Sequence, residues 1–140
     1  MRKGLLFVGL ALTLAGCMNA ADTKKADDAT DAFYRQVAAK QYQAIYDGAS
    51  TDLRAAIPSD TFVGMMQQID QVMGACGAPK KRASLNVSIN NGVTTRSQGY
   101  TRTCTGGELN ERVTIVIRNG EAKLAGYHFG PDADSGSGNE

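Results

Sequence analysis

The spacing of apolar residues changes once along the chain, and the change divides the sequence into a helical part and a strand part. Between residues 29 and 73 the apolar positions recur every three or four residues, which is typical of amphipathic helices. From Lys81 onward apolar and polar residues alternate, which is typical of strands with one buried face. The pattern therefore predicts helices first and a β-sheet after them.

The helical part is predicted to contain a long helix, a short one and a third amphipathic one. The first covers "DDATDAFYRQVAAKQYQAIYDG", with a break expected at residues 40–42 and a stop at Gly48. The short helix runs from Leu53 to Ile57 and ends before Pro58, and Ser59 is placed to cap the next helix. Three methionines on that last helix are typical of a soft-metal or peptide surface, but core packing is the commoner role. Its predicted apolar face consists of Phe62, Met65, Met66, Ile69, Val72 and Met73.

Three turn dipeptides divide the strand part into four strands. Asn91-Gly92, Gly106-Gly107 and Asn119-Gly120 supply the positive φ angles that two-residue hairpin turns require. The strands between them form a four-stranded antiparallel meander, and its apolar face needs the upstream helices as a cover. The predicted fold is therefore an α+β domain over residues 29–130, with N-terminal helices packed on a curved four-stranded antiparallel sheet. The polar "PDADSGSGNE", residues 131–140, is predicted to be a disordered tail.

The first sixteen residues have the organisation of a secretory signal peptide. Arg2 and Lys3 precede an apolar run from Leu5 to Leu14, which is too short to cross a ~30 Å hydrocarbon core as a helix. The run ends in "LAGC", which resembles the lipobox of bacterial lipoproteins. The resemblance implies cleavage after residue 16 and lipidation of Cys17, which would attach the protein to a membrane.

The residues that follow the lipobox bear on where the anchored protein resides. Residues 17–28 are small, polar and charged, so we expect a flexible lipidated tether there. In the sorting scheme of the lipoproteins that the chain resembles, an Asp after the lipidated cysteine favours the inner membrane. This chain has Met18 there, which favours the outer membrane, facing the periplasm.

Length and charge narrow the class of protein further. Without residues 1–16 the chain keeps 124 residues, enough for one domain with a core. It then has 13 basic and 14 acidic residues, so no positive field favours nucleic acid as a partner.

The order of these elements resembles a known superfamily. A long helix with "AFYRQVAAKQYQAIYDGAS", further helices, and a meander that closes on "TIVIRNGEAKLAGYHF" are similar to small members of the nuclear transport factor 2-like, or cystatin-like, superfamily. The nearest resemblance is to bacterial envelope families of unknown function within it. The resemblance implies the fold of residues 29–130 rather than an activity.

The two remaining cysteines are predicted to form a disulfide. If Asn91-Gly92 is a two-residue turn, Cys104 lies opposite position 79, only three residues beyond Cys76. A disulfide over this separation stabilises a fold by ~3–4 kcal/mol in the chain-entropy model, and the envelope is an oxidising compartment. The alternatives are a metal pair and a redox dithiol. Two thiols without a third ligand make a poor zinc site, and the spacing is not that of a C-x-x-C motif.

Residues of potential chemistry are few. The chain lacks a glycine-rich phosphate loop, a G-x-S-x-G motif and an H-E-x-x-H motif, so the sequence assigns no catalytic residue, metal or cofactor. Hairpin register places Glu111 between Arg102 and His128, on the face expected to form the core. These three residues are the candidate ligand-binding site. They could bind a small anion, polarise a carbonyl, or form a structural ion-paired row. A bulge at Gly99 or Gly126 would change which face they share.

Three functions remain open at this stage. The leading hypothesis is a non-enzymatic lipoprotein that binds a periplasmic protein partner or assists envelope assembly, with a homodimer through the sheet left open. The second is a small-ligand binder or isomerase-like enzyme, with Arg102 as anion clamp, Glu111 as base and His128 as acid. The third is a periplasmic inhibitor or immunity protein.

Overall fold

The computed structural model describes residues 18–131 and residue 133. The predicted signal peptide and Cys17 lie outside the described residues. The elements are α1 (Ala20–Ala38), α2 (Tyr42–Gly48), α3 (Thr51–Ala56), α4 (Ser59–Met73), β1 (Lys80–Asn90), β2 (Val93–Cys104), β3 (Gly107–Arg118) and β4 (Glu121–Phe129). Four helices therefore precede four strands, which form one antiparallel sheet in the order β1-β2-β3-β4. The predicted α+β class with an antiparallel meander is confirmed.

Helix α1 begins earlier than the sequence indicated. The side chain of Asn19 caps the helix by accepting a hydrogen bond from the amide of Asp22 at 2.8 Å. Ala26 is fully buried, and Asp27 forms an ion pair with Arg96 of β2 at 2.8 Å. The flexible tether predicted for residues 17–28 is thus wrong from Ala20 onward. The start of α1 contacts the rest of the domain through a small residue and an ion pair. The sequence there has no apolar period, so the pattern did not predict a helix.

The helix boundaries farther along follow the sequence closely. The predicted break between α1 and α2 is present, with Lys40 in the left-handed region at φ 56°. Helix α4 begins one residue earlier than predicted, because Pro58 occupies the N-cap position. Ser59 is instead the first helical residue and donates a hydrogen bond to the side chain of Gln43 in α2 at 3.0 Å.

The first and third hairpin turns have the geometry that their dipeptides predict. The predicted middle turn at Gly106-Gly107 is wrong by one residue, because Cys104 pairs with Gly107 and leaves Thr105-Gly106 as the turn. Asn91 and Gly92 have φ angles of 50° and 75°, and Asn119 and Gly120 have 50° and 77°. The middle turn lies against the end of α4, where a Cβ atom on Gly106 would come within 2.5 Å of the carbonyl oxygen of Val72. Only glycine can occupy that position without displacing the helix end.

Helices α1 to α4 cover one face of the sheet, mainly over β2 to β4. The buried side chains from both layers include Phe33, Tyr34, Phe62, Met66, Tyr100, Val113, Ile115 and Leu124. Strand β1 lies beyond this cover, although its alternation of apolar residues continues that of β2 and β3. Leu85 is 56% exposed and Ile89 is 50% exposed. The face of β1 that the sequence suggested as buried is therefore largely open.

The segment after β4 folds back onto the sheet. The amide of Gly130 donates to the carbonyl of Asn110 at 2.9 Å, and Ala133 is 4% exposed. Nε of Arg112 donates to the carbonyl of Ala133 at 2.7 Å. The prediction of disorder is therefore wrong at the start of the tail, while residues 132 and 134–140 lie outside the described residues.

Candidate functional site

Glu111 is the centre of the polar cluster beneath the helices. It lies on β3 with 0% exposure, and its carboxylate accepts hydrogen bonds from three side chains. Arg102 on β2 donates two of them, from Nε at 2.8 Å and from Nη2 at 2.6 Å. The hydroxyl of Tyr34 on α1 donates at 3.2 Å, and that of Tyr127 on β4 at 2.5 Å. A helix and three strands thus converge on one buried carboxylate.

An ionised carboxylate accepts about four hydrogen bonds. The Glu111 carboxylate receives four, so all of its acceptor sites are used. The guanidinium binds in a bidentate way, and together with the two hydroxyls it compensates for the loss of water around the charge. Burial and then the negative charge of Glu111 raise the pKa values of Tyr34 and Tyr127, which keeps both hydroxyls protonated as donors. Burial alone would lower the pKa of Arg102, but the hydrogen bonds and charge of Glu111 raise it above its usual value. The arrangement stabilises a fixed ion pair rather than a proton-transferring group.

The structure brings Arg102 and Glu111 together, although the ladder differs from the prediction by two residues and Arg102 lies opposite Leu109. The placement of His128 beside them is wrong. His128 is exposed and lies opposite Arg112 on the other face of the sheet. The register shifts between Thr114 and Ile115, where β4 contains one extra residue, Ala125. Because neighbouring side chains in a strand point to opposite faces, this shift turns Tyr127 inward and His128 outward.

The sequence missed both tyrosines of the cluster. A glycine inside a strand often marks a bulge, so Gly126 was the available signal for Tyr127. No local signal identifies Tyr34, whose helix is 77 residues away from Glu111 along the chain. The ring of Tyr34 also packs 5.2 Å from the guanidinium of Arg102 and edge-on to Tyr100, which holds both side chains in place.

The predicted disulfide is confirmed, and it fixes the segment between α4 and β1. Cys76 and Cys104 are bonded across 28 residues. Two backbone hydrogen bonds run beside the disulfide, from the amide of Gly77 to the carbonyl of Thr103 at 2.8 Å and from Thr105 to Ala75 at 2.9 Å. We call residues 74–79 the disulfide segment. It forms a disulfide-bonded wall at the end of the domain.

A cleft of about 700 Å³ opens between α1, α4 and the disulfide segment. Its volume is within the range of ligand-binding pockets. Arg102 lines it from below, so the same guanidinium that pairs with Glu111 also contacts the cleft. The helical lining residues of mainly apolar character are Tyr34, Val37, Ala38, Tyr42, Met66, Ile69 and Met73.

Charged side chains surround this apolar centre. Lys40, just after α1, pairs with Asp70 of α4 at 2.9 Å, so the two helices are joined at the rim. Asp31 and Arg35 of α1 contribute one charge of each sign. The cleft therefore combines an apolar centre with a polar rim of mixed charge.

Neither metal chemistry nor a membrane span is indicated in residues 18–131 and 133. This part of the chain contains no group of three His, Cys, Asp or Glu side chains placed to hold a metal ion. None of its helices combines the length and the apolar character needed to cross a membrane. Comparison of the sequence with known protein families and with curated proteins gave no significant match.

Proposed function

We propose that this chain is a non-enzymatic lipoprotein of the bacterial envelope, with a nuclear transport factor 2-like domain that binds a periplasmic protein partner through the cleft. The observation that carries the proposal is the combination of an open apolar cleft with a charged rim. Protein interfaces have this organisation, with apolar anchors at the centre and polar residues around them. The cleft would receive apolar side chains of the partner.

Attachment to the outer membrane is part of the proposal, and "LAGC" with Met18 supports it. Helix α1 begins at Ala20, and Met18 already packs against the core. Only two residues would therefore separate a lipidated Cys17 from the folded domain. An anchored domain would lie at the membrane surface without a long spacer.

The chemistry of the polar cluster favours binding over the isomerase-like alternative. A general base needs a free acceptor, but four donors occupy the Glu111 carboxylate. The proposed acid, His128, lies on the opposite face of the sheet. The trio that the enzymatic hypothesis required is therefore not assembled in one site.

Site-specific photo-crosslinking in cells tests the proposal. A benzoylphenylalanine in place of Ala75, an exposed residue of the cleft wall, should form a discrete covalent adduct with one periplasmic protein. Val72 provides the matched control, because it is 67% exposed and close in sequence but is not among the residues that line the cleft. Met73→Trp, which fills the cleft from its wall, should abolish the adduct. Equal adducts from both positions, or none from Ala75, would contradict the proposal.

A further inference from the structure

The sheet has two edges, and they differ in how they are covered. At the β4 edge, the amide of Ser50 donates to the carbonyl of Leu124 at 2.8 Å, and α3 packs alongside. Within residues 18–131, β1 pairs with β2 alone. The outer side of β1 is therefore the open edge of the sheet.

The turn after β1 determines which backbone groups face outward. With positive φ at Asn91 and Gly92, the hairpin closes on the hydrogen-bonded pair Asn90 and Val93. Hydrogen-bonded pairs alternate along an antiparallel ladder, so Ser88 and Asn86 also bond towards β2. Leu85, Val87 and Ile89 therefore direct their amide and carbonyl groups away from the sheet.

The same three residues form an apolar stripe on the helix side of the sheet. Val87 lies opposite Arg96, whose side chain reaches Asp27 and Thr30 of α1, so the stripe shares the face that α1 covers elsewhere. Leu85 is 56% exposed and Ile89 is 50% exposed. An open edge with an apolar face is a template for pairing with another strand.

We propose that β1 pairs antiparallel with β1 of a second copy of this chain, with the two-fold axis at Val87. The sequence "LNVSI" has the same pattern of apolar and polar residues in both directions from Val87. Leu85 of one copy then lies opposite Ile89 of the other, and Asn86 lies opposite Ser88. The three outward-facing residues of each strand form hydrogen-bonded pairs, about two bonds in each pair. The apolar stripes of the two copies become continuous.

The charge on β1 favours this antiparallel arrangement. Lys80, Lys81 and Arg82 lie at the start of the strand, and the other end is uncharged. Antiparallel pairing separates the two basic clusters by roughly 30 Å, well beyond the ~8 Å screening length at physiological salt. Parallel pairing would place six positive side chains next to each other. A second copy is therefore matched to the edge in register, polarity and charge.

The two-fold axis is also compatible with the proposed lipid anchor at Cys17. Dimer formation at a membrane rests on that part of the proposed function. An axis perpendicular to the sheet keeps both α1 helices on the same side, so both copies can attach to one membrane. A single pair of short strands is a small contact, whereas a stable interface buries ~1,200–2,000 Å². Confinement of both copies to a membrane raises their effective concentration and favours the pairing. The dimer does not use the cleft.

Disulfide crosslinking of the full-length protein in isolated membranes tests the pairing and its register. Val87→Cys should crosslink to itself, and Leu85→Cys should crosslink to Ile89→Cys on a second, longer-tagged copy. Leu85→Cys should not crosslink to itself, because residue 85 of one copy and residue 85 of the other would be ~14 Å apart, beyond the ~7 Å limit for a disulfide. Val72→Cys is the matched control, since this valine is 67% exposed but lies on α4. An added Val87→Lys should reduce the Leu85→Cys to Ile89→Cys product roughly fivefold, because like charges would face each other, whereas Val72→Lys should not.

Several results would overturn the dimer. They are crosslinking of Leu85→Cys to itself as readily as to Ile89→Cys, equal crosslinking of Val72→Cys, the absence of any dimer, and capture of a different protein by Val87→Cys. Recovery of the protein outside the membrane fraction would refute the anchor, and crosslinking in that soluble fraction would still decide the pairing. If benzoylphenylalanine in place of Ala75 formed no adduct, only the proposed binding of a partner through the cleft would be refuted.

Discussion

Replacement of Arg102 by methionine is the sharpest test of the polar cluster. The change keeps a long side chain but removes the two charge-assisted hydrogen bonds to Glu111. The carboxylate stays 0% exposed, with only the hydroxyls of Tyr34 and Tyr127 as partners. Removal of one partner from a buried ion pair costs ~3–5 kcal/mol, so the free energy of unfolding should fall by that amount.

A second variant separates the ion pair from general damage to the core. Arg102→Met combined with Glu111→Leu removes both charges and leaves apolar side chains of similar size. Replacement of a whole buried pair is often neutral or stabilising, so the double variant should be at least ~2 kcal/mol more stable than Arg102→Met alone. Lys24→Met is a control for loss of a surface pair, since Lys24 pairs with Asp28 in an exposed i,i+4 contact, and it should leave stability unchanged.

Urea unfolding of residues 18–140, with the disulfide intact, measures these differences. The chain has no tryptophan, so far-ultraviolet circular dichroism reports the transition. Equal slopes of free energy against urea would show that the variants unfold from the same compact state. A loss below ~1 kcal/mol for Arg102→Met, or a double variant no more stable than the single one, would refute the buried, fully paired carboxylate.

Three further predictions concern pH, the disulfide and the start of α1. Because the pKa of Tyr127 is raised in the folded state, stability is retained below pH ~10 and falls above it. In urea titrations at several pH values, Tyr127→Phe should make that fall less steep by up to ~1.4 kcal/mol per pH unit. Replacing Cys76 and Cys104 together by alanine should cost ~3–4 kcal/mol and accelerate hydrogen exchange at the amide of Gly77, whereas unchanged exchange would show that the disulfide segment is held by other contacts. Asn19→Ala should cost ~0.5–2 kcal/mol of stability in the same unfolding assay, whereas no loss would mean that the helix cap contributes nothing.

The position of Arg102 links the cluster to the cleft. Its guanidinium is held by Glu111 on one side and lines the cleft on the other. A partner that contacts it would meet a side chain already fixed in one orientation. Such preorganisation lowers the entropy lost on binding.

Local sequence determined the order of elements, the two Asn-Gly turns and the disulfide. A turn such as Asn119-Gly120 needs positive φ at two adjacent residues, and few other dipeptides adopt it readily. Once the first turn is known, counting along the ladder brings Cys104 close to Cys76. These features depend on neighbours in sequence or on one hairpin, which is why the pattern of residues was sufficient to predict them.

Only the tertiary structure decided which residues share the site. One extra residue at Ala125 exchanges His128 for Tyr127 on the buried face, because the two faces of a strand alternate with a period of two. Tyr34 arrives from a helix whose packing no local pattern specifies, and Asp27, in the early part of α1, meets Arg96 across the layers. The open edge at β1 likewise depends on where the helices end above the sheet. Sequence therefore determined the strands and the two Asn-Gly turns. Long-range packing determined the contacts, since those contacts join side chains that no single hairpin or helix brings together.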